Sequence, residues 1–247
     1  MKYYFDGTSC KVVKSKLFKQ FPELVSACST REGGVSTGVY STMNLGFATG
    51  DHPSNVSENY EIICNELGIR MEDVVLAKQT HQSNIRIVTD RGRGTGVLCP
   101  VNYDDIDALI TTKTEHRPSP VLTVITADCV PVSVYDPKHM AIGLAHSGWK
   151  GTVQQITAKM LDKMEQVYET SPEDVYLSIG PSICSKCYEV GKDVASEFKK
   201  VYNLEEWEQL FTPTFDEKYF LNLKNAVKIT ALKAGVPEEN IEIQGLC

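Results

Sequence analysis

Apolar residues in this chain fall mainly into short runs, at 24–29, 74–78, 85–88, 108–111, 121–126, 130–135, 141–145 and 176–179. Their length and β-branched content predict strands. Helical spacing is rarer. Val56, Tyr60, Ile63, Cys64 and Leu67 share one face of a helix expected over 54–67, with Gly68 suited to close it. A second helix is expected over 152–168, where apolar residues stand at 153, 156, 160, 161, 164, 167 and 168. Two more are expected over 190–201 and 221–233, the last closed by Gly235 and Pro237. Residues 91–105 read as an irregular surface loop. Strands dominate the middle of the chain without alternating regularly with helices. That order predicts an α+β fold, with mixed β-sheets packed together and flanking helices, as a single domain over 1–247.

Composition narrows the function classes. With 247 residues, 42% of them hydrophobic and 23% charged, the chain can bury a substantial core. Its formal net charge of −7 argues against a general nucleic-acid binder, yet leaves room for a local basic pocket holding one small anion. No run approaches the roughly 20 apolar residues that cross a bilayer, so no membrane partner is expected. Asp6 interrupts the N-terminal stretch before an apolar signal core forms, and a cytoplasmic protein without a secretory signal is expected. The eight cysteines, at 10, 28, 64, 99, 129, 184, 187 and 247, then read as reduced thiols. Cys184 and Cys187 form a C-x-x-C, but a structural zinc site needs a second pair, and none stands at comparable spacing. Five histidines, at 52, 81, 116, 139 and 146, are too few for the imidazole shells of a multicopper oxidase. They suffice for one mononuclear site.

Three segments place reactive side chains at strand ends. Lys78-Gln79-Thr80-His81-Gln82-Ser83-Asn84 is a polar cluster between two predicted strands. Thr126-Ala127-Asp128-Cys129-Val130-Pro131-Val132 sets a cysteine beside an acid at a break between apolar runs. Ala145-His146-Ser147-Gly148-Trp149-Lys150-Gly151 joins a strand to a helix, its glycines permitting close backbone approach. Together His81, Cys129 and His146 offer two imidazoles and one thiolate, a set that suits zinc with a fourth position left open. The same residues could instead make a metal-free Cys–His nucleophile pair.

The second and third segments resemble the two central signatures of the laccase-domain, or YfiH-like, family. Ser29-Thr30-Arg31-Glu32-Gly33-Gly34-Val35-Ser36 with Met43-Asn44-Leu45-Gly46 resembles its N-terminal block, and Ile179-Gly180-Pro181-Ser182-Ile183 with Cys187-Tyr188-Glu189-Val190 a later one. The likeness runs from about residue 25 to 235. It implies a mononuclear zinc, with copper possible in some preparations, on His81, Cys129 and His146. It also implies purine nucleoside phosphorolysis of adenosine, inosine and methylthioadenosine, with adenosine deamination alongside. The partners implied are a purine nucleoside and phosphate, in a monomer or small homo-oligomer. Lys150 and Arg31 become candidates for the phosphate, and Asn44 for the sugar or base. Asp128 is nominated either to move a proton or to support a ligand histidine.

Three departures from the family stand out. Gln82 follows His81 where glycine is usual, and Lys150 follows the tryptophan where arginine is usual. The family also continues, past the position of Gly245-Leu246-Cys247, into a segment with a further cysteine and arginines. The alternatives are a cysteine hydrolase or amidase acting on a peptidoglycan precursor, with Cys129 as nucleophile and His146 as base, and the polyphenol oxidase for which the family was first named. A non-catalytic sensor retaining the fold is a third.

Overall fold

A computed structural model describes residues 12–114 and 117–247. The N-terminal stretch read for a signal, Cys10 and His116 lie outside the described residues. The strands, in chain order, are β1 (Val12–Val13), β2 (Cys28–Ser29), β3 (Val74–Leu76), β4 (Asn84–Ile87), β5 (Ile106–Thr112), β6 (Val121–Thr123), β7 (Val130–Asp136), β8 (Ala141–Ser147), β9 (Tyr176–Ile179), β10 (Glu189–Val190), β11 (Phe211–Pro213), β12 (Tyr219–Leu221) and β13 (Ile241–Ile243). The helices are α1 (Pro53–Leu67), α2 (Trp149–Val153), α3 (Ile156–Tyr168), α4 (Lys192–Lys199), α5 (Leu204–Leu210) and α6 (Leu223–Lys233).

Six strands make the main sheet, in the order β13-β9-β7-β8-β5-β4. Its middle pairs are antiparallel, while β13 on β9 and β4 on β5 at the two edges are parallel. The sheet is therefore mixed, as the α+β expectation required. Period-two alternation along β8 separates its two faces. Ala141 and Ala145 pack into the cluster that holds α3 and α6, whereas Ile142 and Leu144 pack with Val75, Leu109 and Leu122 on the other side. Gly143 lets α3 lie close, since a Cβ there would sit 2.9 Å from Met164 Sδ and 3.0 Å from Met160 Sδ. By the same alternation His146 belongs to the face of Ile142 and Leu144. Among the described residues no helix is long and apolar enough to cross a membrane.

Several boundaries differ from the expectation. The run at 24–29 contributes only Cys28–Ser29, the part that finds a partner in β1. The helix expected over 152–168 is two helices, broken at Gln155, whose φ of 61° is left-handed. The apolar spacing runs through the break, but Thr152 is committed elsewhere. Its hydroxyl bonds Ser147 Oγ and Gly148 O, tying α2 to the end of β8. α5 was not anticipated, although Asn203 and Glu206 form a capping box, a signal legible in sequence. The small sheet β10-β12-β11 and the edge strand β13 were also missed, since each is a run of two or three residues.

Leu177, fully buried on β9, tests how tightly this core is packed. Leu177→Ala is expected to cost about 2–5 kcal/mol in urea unfolding. A loss under about 1 kcal/mol would mean the site collapses freely around the deletion.

Candidate metal centre

Four segments meet at one end of the main sheet: the start of β5, the residues before β7, the end of β8 and the loop before β4. The parallel ladder slips here. Asn84 pairs with Ile106 and Ile85 with Ala108, so Asp107 has no partner on β4. An extra residue of this kind re-aims a side chain, and the Asp107 carboxylate, fully buried, turns to the loop and to His146. One oxygen accepts from Thr80 N–H at 3.1 Å and Gln82 N–H at 2.9 Å. The other accepts from His81 N–H at 3.1 Å and bonds His146 Nδ1 at 2.8 Å. Burial pushes this carboxyl up, but the His146 bond and the backbone donors outweigh it and hold it below the usual carboxylate range.

These bonds shape both histidines. Presenting three consecutive N–H groups to one carboxylate is accompanied by a left-handed φ of 63° at His81, a strained conformation for that residue. His146 is 4% exposed, and with Nδ1 held by Asp107 its Nε2 is left for the cluster. Burial opposes charge on His146, yet the Asp107 bond and its contacts with Cys129 push its pKa up to about 9. Cys129 Sγ lies 3.9 Å from His81 Nε2. The ring centroids of His81 and His146 are 4.9 Å apart at 76°. Gly148 makes room for this approach, since a Cβ would lie 3.0 Å from both Cys129 Sγ and His81 Cδ2.

The donor atoms of His81, Cys129 and His146 all lie within 4.8 Å of one another. Tetrahedral zinc bonds of about 2.0–2.3 Å place nitrogen and sulfur roughly 3.6 Å apart, so the set fits such an ion with little movement. The three residues nominated from sequence are thus brought together. The carboxylate behind them was missed, and it is Asp107, not Asp128, that bonds a histidine of this set. Asp128 is exposed, and its carbonyl accepts from Ile183 N–H at 3.0 Å. One signal could have found Asp107: a single acid ahead of the apolar run Ala108-Leu109-Ile110 in its strand.

A cavity of about 530 Å³ is lined by Thr126, Ala127 and Pro131, from the segment that carries Cys129, although His81, Cys129 and His146 do not themselves line it. Asn44 lines it, with its amide already bonded to Thr49 and Asp51. Arg31, exposed, gives its Nε–H to Ser41 O at 2.9 Å. Lys150, also exposed, lies 5.7 Å from the centroid of the Trp149 ring. Neither cation lines the cavity. His52 caps α1, and His139 bonds Asp136 at 2.7 Å.

Residues 25–247 match the family described as multi-copper polyphenol oxidoreductase laccase. The chain is 31% identical over 226 residues to purine nucleoside phosphorylase YlmD of Bacillus subtilis, covering 91% of this chain and 79% of that protein. It is likewise 31% identical over 227 residues to adenosine deaminase RL5 of an unknown prokaryotic organism, covering 91% and 84%. The crystal structure of Bacillus licheniformis hypothetical protein YfiH superposes with a TM-score of 0.89 at 32% identity, covering 98% of this chain and 87% of that one.

Asp107→Asn keeps the side-chain volume and removes the negative charge. It is expected to weaken zinc affinity about 10–100-fold in a chelator competition; unchanged affinity would sink the supporting role. In metal-depleted protein the raised His146 pKa predicts stability that is full below the ordinary histidine value of 6.5 and lost as pH rises through about 9. Thermal melts across that range should show a weaker dependence in Asp107→Asn.

Proposed function

The chain belongs to the multi-copper polyphenol oxidoreductase laccase family, and from that premise we propose that it is a zinc-dependent purine nucleoside phosphorylase acting on adenosine, inosine and methylthioadenosine, with adenosine deamination as a side activity. The observation that carries this reading is the convergence of the His81, Cys129 and His146 donor atoms, with a cavity of a volume suited to a small ligand lined by chain neighbours of Cys129. Relatives bearing both activity names support it.

His81, Cys129 and His146 would hold the ion, which when bound supplies Lewis acidity toward water or a substrate oxygen. The rest of the work falls to the chain. Phosphorolysis breaks the bond between ribose C1′ and purine N9 as a phosphate oxygen bonds C1′. Positive charge builds on the sugar and negative charge on the leaving base, so positioning and fixed charge carry the acceleration. Asp107 supplies the rigidity by fixing the His146 ring and three N–H groups of the His81 loop. Lys150, two residues past Gly148, and Arg31 are the cations proposed for phosphate. As a point charge, Lys150 would hold it with looser geometry than a bidentate arginine. Asn44, on the cavity wall, is proposed to meet sugar or base. Deamination replaces the 6-amino group of adenine by oxygen from water and releases ammonia in the same pocket. We place this chemistry in the cytoplasm, in a monomer or small homo-oligomer, with no nucleic-acid or membrane partner.

One observation favours a second reading. Cys129 lies against both histidines, 3.9 Å from His81 Nε2 and within 4.8 Å of a ring nitrogen of His146, as a metal-free cysteine hydrolase or amidase would require. Native mass spectrometry separates the two, because one zinc per chain at these residues counts against it. The polyphenol oxidase reading is weaker. Among the described residues the candidate metal groups are one mixed His–Cys set and one set of cysteines, not several imidazole shells.

Adenosine incubated with zinc-loaded protein is expected to release adenine only when phosphate is present, and His146→Ala should abolish this. Inosine appearing without phosphate would make deamination primary. No product from either mixture would sink the purine reading.

A further inference from the structure

Cys184 and Cys187 lack a second cysteine pair in the sequence, but the fold brings them a third thiol. After β13 the chain returns to the loop that follows β9, where Ser182 N–H donates to Leu246 O at 3.4 Å. Lys224, buried on α6, grips the same stretch by donating to Gln244 O at 3.1 Å and Leu246 O at 2.5 Å. Cys247 is thereby held over the C-x-x-C turn, and its Sγ accepts from Cys184 N–H at 3.3 Å. The three sulfurs all lie within 4.8 Å of one another, and all three are free thiols.

We propose that Cys184, Cys187 and Cys247 form a second metal site, an all-thiolate site for zinc that fastens the stretch after β13 to the loop after β9. Zinc–sulfur bonds of about 2.3 Å in a tetrahedron set sulfurs roughly 3.8 Å apart, within reach of the observed arrangement. A disulfide would use two of these sulfurs and leave the third without a role; one ion uses all three and leaves a corner for water. The surroundings suit thiolates. Cys184 N–H donates to Cys247 Sγ, as an outer partner of metal-bound sulfur does, and Cys187 N–H and Tyr188 N–H close the turn by donating to Cys184 O at 3.0 and 3.1 Å. Three thiols release three protons to solvent on binding, and three thiolates with a divalent ion leave one net negative charge. The Lys224 ammonium acts on both Cys247 and Cys184 and offsets that charge.

The site would reach the first one through the backbone. The same loop donates Ile183 N–H to Asp128 O at 3.0 Å, one residue before Cys129. Fastening the loop therefore braces the segment that carries Cys129. The proposal does not depend on the purine reading.

Cadmium titration of the full chain tests it, because each thiolate ligand adds to a charge-transfer band in the ultraviolet. Cys129→Ser should keep a band of three-thiolate strength, and Cys187→Ser should lose most of it. Elemental analysis should give two zinc ions per chain in the parent, one in Cys187→Ser and one in the His81→Ala/His146→Ala variant. Cys187 is exposed, so its serine variant should retain the parent circular dichroism spectrum. Cys187→Ala provides a second check. A Cys129→Ser protein without a cadmium band, or unchanged zinc content in both Cys187 variants, would overturn the proposal. So would a Cys184–Cys187 disulfide found by peptide mapping of freshly prepared protein.

Discussion

A buried carboxylate must be fully hydrogen-bonded or it is expelled or neutralised, and the end of this sheet is organised around meeting that demand for Asp107. Its two oxygens take three consecutive backbone N–H groups and an imidazole nitrogen. The loop must curl to present Thr80, His81 and Gln82 together, and His81 sits at a left-handed φ in doing so. The unfavourable backbone of one donor residue and the aim of another donor ring thus have a common cause. Removing the charge would loosen both at once.

The sheet supplies the frame that makes this possible. Its parallel edge strand slips by one residue at Asp107, while the antiparallel neighbours hold β5, β7 and β8 in register. Ends of antiparallel strands alternate in direction, so the start of β5, the approach to β7 and the end of β8 arrive at the same edge. His81, Cys129 and His146 come from segments up to 65 positions apart, yet none needs a long loop to reach the others. Gly148 completes the approach, because any side chain at that turn would press on the sulfur and the ring.

The family's description speaks of several coppers and polyphenols. The site argues for something smaller. One mixed nitrogen–sulfur set suits a single ion of zinc's preferences, and the cavity that Thr126, Ala127 and Pro131 help to line has room for a small organic ligand. Relatives named for purine chemistry fit that scale. The cations are where the match is loosest. Arg31 and Lys150 lie on the surface away from the cavity wall, and Asn44 faces the cavity with its amide already engaged.

Much of this was legible in the residues alone. Short β-branched runs foretold the strands, and His81, Cys129 and His146 stood out because each sits at a strand end: in a polar cluster, at a break between apolar runs and at a glycine-containing strand-to-helix turn, respectively. Histidine count set the upper limit on metal sites of the copper type. Local pattern could not foresee the break at Gln155, since the hydrophobic spacing continues through it while Thr152 is bonded back to β8. Nor could it foresee Asp107, whose role arises from a slip in pairing between two strands about 20 residues apart, or the meeting of Cys247 with Cys184 across 63 positions. Side-chain chemistry and periodicity are properties of neighbours along the chain, so the sequence by itself determined which elements form and which side chains are reactive. Register and return paths are set by pairing between distant segments, and only the tertiary structure decided which reactive groups face one another and which carboxylate holds them there.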